Sequence, residues 1–243
     1  MTNAFIRHAV ILAAGKGTRM GSITRDTPKP MLPVQGKPLL QHILEGLAAA
    51  GVEKFFVVTG YKHEMIEDYF KESPLAIEFR LQDPVNGTGT AARLAKNFVD
   101  NEPFLLTYGD ILCDPSEYVG SGAVLDQNMA TAAVVAVKYV DDPWQGAAVY
   151  EQNGVISEII EKPPKGASST HWNSAGFYVF RPILFEYLDR LQPSPRGEYE
   201  LTSALDMMLD ERLELRISAI QGEWRDVGRP EDLAAVNAGD RNR

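Results

Sequence analysis

One stretch near the start of the chain limits most strongly what it can fold into. Residues 10–14 are apolar and typical of a buried strand, and they lead directly into a loop that contains Gly15 and Gly17. Cationic side chains lie in or just after this loop, at Lys16, Arg19, Arg25 and Lys29. Glycines allow backbone N–H groups to converge on an anion, and lysine and arginine supply the charge that backbone dipoles lack. The stretch therefore predicts a strand followed by an anion-binding loop.

The loop does not match two well-known phosphate-binding motifs. The dinucleotide fingerprint requires a third glycine three residues after the second, where this chain has Met20. A Walker loop is excluded because no Gly-Lys-Ser/Thr follows four spacer residues. The chain is acidic, with a formal net charge of −9, so a local surplus of cations is notable. On these residues alone, a flexible surface turn with solvated cations stays open.

Strands and helices alternate along the first half of the chain. Apolar residues recur every three or four positions over residues 38–50, which predicts an amphipathic helix that ends at Gly51. The apolar run at residues 54–60 predicts a strand covered on both faces. Further helices are predicted over residues 62–71 and 91–98, and further strands over residues 77–82 and 103–110. The alternation is typical of an open, mostly parallel sheet that binds ligands beyond the carboxyl ends of its strands.

The second half is richer in strand signals. Strands are predicted over residues 131–140, 146–150, 155–161 and 172–180. Asn153-Gly154 predicts a hairpin turn between two of them. A helix is expected to end near Asp210, and Pro230 opens the last helix. With 243 residues and 44% hydrophobic content, we expect one α/β domain over residues 1–243.

Composition excludes several classes of protein. Cys113 is the single cysteine, so no intrachain disulfide can form and a reducing compartment is expected. Cys113 itself is interpreted as a small buried hydrophobe. Residues 1–8 show no signal peptide, and no apolar run approaches the roughly 18 residues of a membrane span. We therefore expect a cytoplasmic protein without a membrane partner. The acidic balance argues against a nucleic-acid partner, and the four histidines lack metal-ligand spacing.

One carboxylate follows a buried strand. Asp110 comes directly after the apolar residues 103–108, beside Gly109. An aspartate at such a strand end is well placed to hold Mg²⁺, which prefers oxygen ligands and retains substrate phosphates in its coordination shell. Asp110 is therefore the first candidate metal ligand. Aspartates also cap helices, and Asp114 is the alternative for that role.

Two motifs near the start resemble the signature of the sugar-1-phosphate nucleotidyltransferases, which join a sugar 1-phosphate to a nucleoside triphosphate and release pyrophosphate. They are Leu12-Ala13-Ala14-Gly15-Lys16-Gly17-Thr18-Arg19-Met20 and Thr27-Pro28-Lys29-Pro30-Met31-Leu32-Pro33-Val34. The resemblance implies a Rossmann-like, mostly parallel mixed sheet flanked by helices, the GT-A-like fold of nucleotide-diphospho-sugar transferases. It also implies that residues 12–18 bind the nucleotide and that Arg19 and Lys29 are catalytic.

Further matches follow along the chain. In the family, the glutamine and Gly-Thr of a second loop read the nucleobase, which corresponds here to Gln82, Gly87 and Thr88; a glycine-rich turn that caps the next helix is the alternative. Residues that resemble the sugar-binding elements are Gly146, Glu161, Lys162, Asn173, Gly176, Glu198 and, more weakly, Glu200. The closing motif Trp224-Arg225-Asp226-Val227-Gly228 supplies Asp226 as the second Mg²⁺ ligand. Lys162 is expected to steer the sugar phosphate as a third catalytic cation.

The resemblance leaves the substrates partly open. Gln82 with Gly87 favours UTP or dTTP, and glucose 1-phosphate is the favoured sugar. A CTP- or GTP-using relative acting on another sugar or a non-sugar phosphate, and a non-catalytic nucleotide-sugar sensor, are the alternatives. We expect residues 1–130 to bind the nucleotide and residues 131–243 the sugar. The chain shows no hexapeptide repeat, so no acetyltransferase extension is expected, and a homo-oligomer stays open.

Overall fold

The computed structural model describes residues 6–239, which form thirteen strands and seven α-helices. The strands are β1 (His8–Leu12), β2 (Pro33–Val34), β3 (Lys37–Pro38), β4 (Lys54–Thr59), β5 (Ala76–Leu81), β6 (Phe104–Tyr108), β7 (Ile111–Cys113), β8 (Thr131–Tyr139), β9 (Ala147–Gln152), β10 (Val155–Glu161), β11 (Trp172–Phe180), β12 (Glu214–Ala219) and β13 (Trp224–Asp226). The helices are α1 (Leu39–Ala49), α2 (His63–Phe70), α3 (Thr88–Arg93), α4 (Pro115–Gln127), α5 (Leu184–Leu188), α6 (Leu201–Asp210) and α7 (Pro230–Asn237).

Nine of the strands form one mixed sheet in the order β5-β4-β1-β6-β11-β8-β12-β10-β9. The first four strands in this order are mutually parallel. Strand β11 is antiparallel to both β6 and β8, which restores the original direction at β8 and β12. Strand β10 is antiparallel to β12 and β9. Within this sheet β10 and β11 therefore oppose the others, and the prediction of a mostly parallel mixed sheet is confirmed.

Helices cover both faces of the sheet. Alternate residues of β1 belong to different cores: Val10 and Leu12 pack in one, Ala9 and Ile11 in the other. Helices α3, α5 and α6 contribute to the first core, and helices α1 and α2 contribute to the second. Both faces of β1 are therefore covered, which explains why its sequence is a continuous apolar run.

The predicted hairpin is present between β9 and β10. Gln152 lies opposite Val155 in this antiparallel pair, and Asn153 and Gly154 form the two-residue turn. Their φ angles of 55° and 79° are both left-handed, as a type I′ turn requires. Asparagine tolerates this conformation better than other residues with a β-carbon, and glycine adopts it freely.

Some elements differ from the sequence predictions. Helix α3 begins at Thr88 and ends at Arg93, whereas residues 91–98 were expected, because the helix starts directly after the Gly87 turn. Asp114, rather than Asp110, caps a helix: its Oδ1 accepts a hydrogen bond from the Ser116 N–H at the start of α4. Cys113 is half-buried and packs against the second core, so it is less buried than expected. Helices α4 and α5 and strands β2, β3, β7, β12 and β13 were not predicted.

No helix within residues 6–239 combines the length and the apolar character that crossing a bilayer would require.

His8 generates a prediction about stability. The residue is 5% exposed, its ring packs edge-on against Phe98 with centroids 5.3 Å apart, and neither ring nitrogen has a hydrogen-bond partner among the described residues. Burial, followed by the charge of Lys54, lowers the pKa of His8 below its usual 6.5. As the pH falls below 6.5 the unfolded chain binds a proton that the folded protein excludes, so stability decreases.

We expect His8→Leu to raise the free energy of unfolding by about 1 kcal/mol near pH 7.5, because two unpaired buried nitrogens are removed. The gain should be larger at pH 5.5, where the wild type is further destabilised. Urea unfolding at the two pH values measures both differences. An equal gain at both pH values would show that the imidazole does not titrate during unfolding.

Candidate active site

A cleft of about 520 Å³ opens where the carboxyl ends of the parallel strands meet. Residues from every motif singled out in the sequence line it. They are Leu12, Ala13, Ala14, Gly15, Lys16, Gly17, Thr18, Arg19, Lys29, Gln82, Gly87, Thr88, Asp110, Gly146, Glu161, Lys162, Asn173, Gly176, Glu198, Glu200 and Asp226. Segments more than two hundred positions apart thus share one cavity, while the role of each residue stays a prediction.

The loop after β1 is held by close backbone contacts. Gly17 has a left-handed φ of 64°, and a β-carbon there would lie 3.0 Å from Lys29 Cβ. The Thr24 hydroxyl donates to the Gly17 carbonyl at 3.1 Å, and buried Met20 anchors the following turn. Arg19 remains exposed to the cleft. The loop is therefore fixed at its base, with its cation available to a ligand.

Asp110 and Asp226 are brought together by a short ribbon. Strands β7 and β13 pair in antiparallel fashion with Asp226 opposite Ile111, and the Val227 N–H donates to the Asp110 carbonyl at 2.9 Å. Lys29, which is 8% exposed, places its Nζ 2.5 Å from Asp110 Oδ2. Two carboxylates and one ammonium group therefore meet on one side of the cleft.

The surroundings of Asp226 shift its protonation equilibrium. Asp226 is exposed to the cleft. Desolvation by the protein around the cleft, followed by the nearby charge of Asp110, raises the pKa of Asp226 to about 6, although Lys29 and Arg19 act in the opposite direction. Among the described residues, no group of three or more histidine, cysteine or carboxylate side chains could hold a metal ion. The pair suits a cation that takes two protein oxygens and completes its shell with ligand oxygens and water, as Mg²⁺ does.

In the second predicted loop, the side-chain amide of Gln82 has a defined orientation. Gln82 is 5% exposed, and its Nε2 donates to the Gly87 carbonyl at 2.9 Å and to Thr90 Oγ1 at 3.0 Å. No residue within 6–239 donates to its Oε1. Because the Gly87 carbonyl can only accept, the amide nitrogen must face it, and the oxygen faces away. Gln82 thus presents an acceptor at the cleft.

This loop is joined to the segment before α6 by backbone hydrogen bonds. The Tyr199 N–H donates to the Asn86 carbonyl at 2.9 Å, and the Gly89 N–H donates to the Tyr199 carbonyl at 2.8 Å. The Thr88 hydroxyl accepts from the Leu201 N–H at 2.9 Å, so it completes the start of α6. The helix-capping alternative holds in part, because Gly87 precedes α3 and also lines the cleft.

The other wall of the cleft is formed by β9, β10 and β11. The Lys162 N–H donates to the Gly146 carbonyl at 2.7 Å, which fixes Lys162 in a left-handed conformation. Asn173 packs against Gly146 so closely that a β-carbon there would overlap its side-chain amide. The buried Asn173 Oδ1 accepts no hydrogen bond from a described residue.

Several cleft residues were not singled out from the sequence, notably Arg196, Tyr108, Tyr178 and Trp224. Arg196 donates from Nε to Glu200 Oε1 at 2.9 Å, and its Nη2 lies 3.5 Å from Glu161 Oε1. Glu200 also accepts from Ser194, so it is less available to a ligand than Glu198. Arg196 lies two positions before Glu198, but the family resemblance pointed only to Glu198 and Glu200.

The chain is similar to proteins of known activity. Residues 8–243 match the nucleotidyl transferase family. The chain is 38% identical over 230 residues to the bifunctional protein GlmU of Methanococcus maripaludis, covering 94% of this chain and 53% of that protein. It is 35% identical over 232 residues to the UTP–glucose-1-phosphate uridylyltransferase AglF of Haloferax volcanii, covering 92% of each.

A solved structure of an enzyme is also similar to this chain. A UDP-glucose pyrophosphorylase complexed with UDP-glucose superposes with a TM-score of 0.86 at 27% identity, covering 98% of this chain and all of the other. The chain spans about half the length of the GlmU relative and nearly all of AglF. The similarity to AglF and to the pyrophosphorylase therefore extends over the whole cleft.

We expect Gly87→Ala to lower the free energy of unfolding by about 2 kcal/mol or more, because its φ of 136° is unfavourable for alanine and the new β-carbon would overlap the Tyr199 backbone. Gly120→Ala is the matched control: it lies inside α4 with nothing within 4 Å of the new β-carbon, so it should stabilise by up to about 1 kcal/mol. Chemical denaturation measures both. Equal stability of the two variants would contradict the tight contact at Tyr199.

Proposed function

Because the chain belongs to the nucleotidyl transferase family, we propose that it joins a nucleoside triphosphate to a sugar 1-phosphate and releases pyrophosphate. The observation that carries the proposal is the meeting of a cationic loop with paired carboxylates in one cleft. Arg19 and Lys29 approach from the loop side, Asp110 and Asp226 from the ribbon, and Lys162 from the opposite wall. We further propose that residues before about 130 bind the nucleotide and that later residues bind the sugar.

The charge balance explains why no activated side-chain nucleophile is needed. The attacking phosphate oxygen of the sugar phosphate is already an anion near neutral pH. The barrier is the approach of two polyanions, which positioned cations and backbone donors lower. Arg19 and the N–H groups of residues 15–18 neutralise the triphosphate and the departing pyrophosphate. Lys29 acts at the α-phosphate, and Lys162 directs the incoming sugar phosphate for in-line attack.

Asp110 and Asp226 are the residues that would hold Mg²⁺. When bound, the ion supplies positive charge to the α-phosphate oxygens. Lys29 orients Asp110 through their ion pair, which leaves the second Asp110 oxygen for the cation. Nucleoside triphosphates are cytoplasmic metabolites, so we place the reaction in the cytoplasm.

The orientation of Gln82 supports a uracil or thymine base. Its Oε1 accepts a hydrogen bond, and the N3 position of uracil or thymine carries a proton. Cytosine has a lone pair at N3, which would face the Gln82 oxygen without a hydrogen bond. UTP is the favoured substrate, consistent with the name of the Haloferax relative, and dTTP is the second candidate.

The sugar side supports an acceptor whose sugar ring is uncharged and rich in hydroxyls, such as glucose 1-phosphate. The Glu161 and Glu198 carboxylates are acceptors for sugar hydroxyls, and Asn173, Gly146 and Gly176 line the same wall of the cleft. A nucleotide-sugar sensor is the second candidate function. The retained set of Arg19, Lys29 and both aspartates disfavours it, because binding alone does not require them all.

We expect Arg19→Ala and Lys29→Ala each to lower turnover by about 100-fold or more, the scale for losing one preorganised transition-state contact. Pyrophosphate release measures turnover. Arg80→Ala and Lys37→Ala are matched controls, because both side chains form exposed ion pairs and do not line the cleft. Thermal melting checks that Lys29→Ala still folds. Turnover near the wild-type value in both cleft variants would refute the assigned roles.

We expect the wild type to use UTP or dTTP at least about tenfold better than CTP, since one unpaired buried acceptor costs about 1–3 kcal/mol. A panel of four triphosphates and several sugar phosphates tests this. Gln82→Met should reduce the preference by lowering turnover with UTP more than with CTP. Equal use of CTP and UTP contradicts the amide orientation, and tight nucleotide binding without pyrophosphate release from any pair favours the sensor.

A further inference from the structure

We propose that Glu117 is a positioning residue that holds Asp226 in the cleft, although its side chain does not line the cleft. Glu117 lies half-buried in the first turn of α4. Its Oε1 accepts hydrogen bonds from two consecutive backbone N–H groups, that of Gln221 at 3.2 Å and that of Gly222 at 2.5 Å. A carboxylate that binds two backbone donors fixes the direction of the chain between them.

The chain held in this way leads directly to Asp226. Strand β13 has three residues, and the described structure pairs it with β7 alone. A two-stranded ribbon is at best marginally stable without further contacts. Glu117 supplies such contacts before the strand, together with the hydrogen bond from the Asp114 N–H to the Glu223 carbonyl at 2.9 Å. The direction in which β13 presents Asp226 therefore depends on the loop at residues 221–223.

The loop is packed closely enough for this contact to be specific. A β-carbon at Gly222 would lie 2.9 Å from Glu117 Oε1 and 3.4 Å from Asp114 Cβ. A larger residue at position 222 would displace the carboxylate from the two N–H groups. Glu117 and Gly222 thus provide two independent ways of breaking the same contact.

A simpler role for Glu117 would be to stabilise α4 through the helix dipole, which any carboxylate in a first turn does. Glu64 is the matched case. It occupies the first turn of α2, is exposed, and has no hydrogen-bond or ion-pair partner among residues 6–239. Glu64→Gln removes a dipole interaction alone, whereas Glu117→Gln also weakens the anchor of the 221–223 loop.

The first experiment measures hydrogen–deuterium exchange of the Val227 amide, which donates to the Asp110 carbonyl and does not touch Glu117. In Glu117→Gln, Glu117→Ala and Gly222→Ala we expect the Val227 amide to exchange faster than in the wild type. The double variant Glu117→Gln/Gly222→Ala should exchange at nearly the same rate as either single variant, because both changes break the same contact. Glu64→Gln should leave Val227 exchange at the wild-type rate. Unchanged Val227 exchange in the folded Glu117 and Gly222 variants overturns the proposal.

The second experiment rests on the proposed function. Calorimetric titration with Mg²⁺ in the presence of UTP should show about tenfold weaker binding in the Glu117 and Gly222 variants, the scale for removing a residue that orients a metal ligand. Turnover should fall at low Mg²⁺ and recover at high Mg²⁺, with the UTP-over-CTP preference unchanged. Mg²⁺ binding equal to that of the wild type would overturn the positioning of Asp226.

The two experiments separate the failure of each claim. If the wild type releases no pyrophosphate with any substrate pair, the proposed function is wrong, and Val227 exchange still decides whether Glu117 holds the ribbon. If the wild type is active and the variants lose thermal stability without a change in Val227 exchange, Glu117 serves α4 alone.

Discussion

The cleft depends on holding two like charges side by side. Desolvation by the protein around the cleft, and then repulsion by Asp110, raise the pKa of Asp226 to about 6, although the side chain is exposed to the cleft. The β7–β13 ribbon supplies the backbone hydrogen bonds that keep the pair together. Lys29, at 2.5 Å from Asp110, and Arg19 offset part of the repulsion. Two neighbouring carboxylates that repel each other are suited to binding a cation.

The sheet makes this arrangement possible. Strand β11 lies antiparallel between β6 and β8, so it joins the first parallel set of strands to the later ones in one continuous layer. The strand ends that carry Gly15, Asp110 and Gly146 are consequently brought to one cleft although they are far apart in sequence. The apolar faces of the sheet are covered on both sides by helices, which leaves the carboxyl edge as the place where polar side chains can gather.

Local patterns predicted much of this structure, and long-range pairing accounts for most of what was missed. Helix α1 follows its apolar periodicity, and the β9–β10 turn follows Asn153-Gly154. Helix α4 was missed because Gly120 and Gly122 interrupt its pattern, and its apolar residues do not form a continuous stripe. The ribbon of β7 and β13 has three residues in each strand and is defined by a partner more than a hundred positions away, so no local signal reveals it. Asp226 was placed by family resemblance rather than by its own surroundings.

The backbone hydrogen bonds between residues 86–89 and 199–201 have a consequence for protein engineering. They tie the loop at residues 86–89 to the segment that carries Arg196 and Glu198, so neither can be exchanged without disturbing the other. Gly87 leaves no room for a side chain against Tyr199, which closes the simplest route to reshaping either loop alone. A chimera that replaces either loop must therefore transplant both segments together.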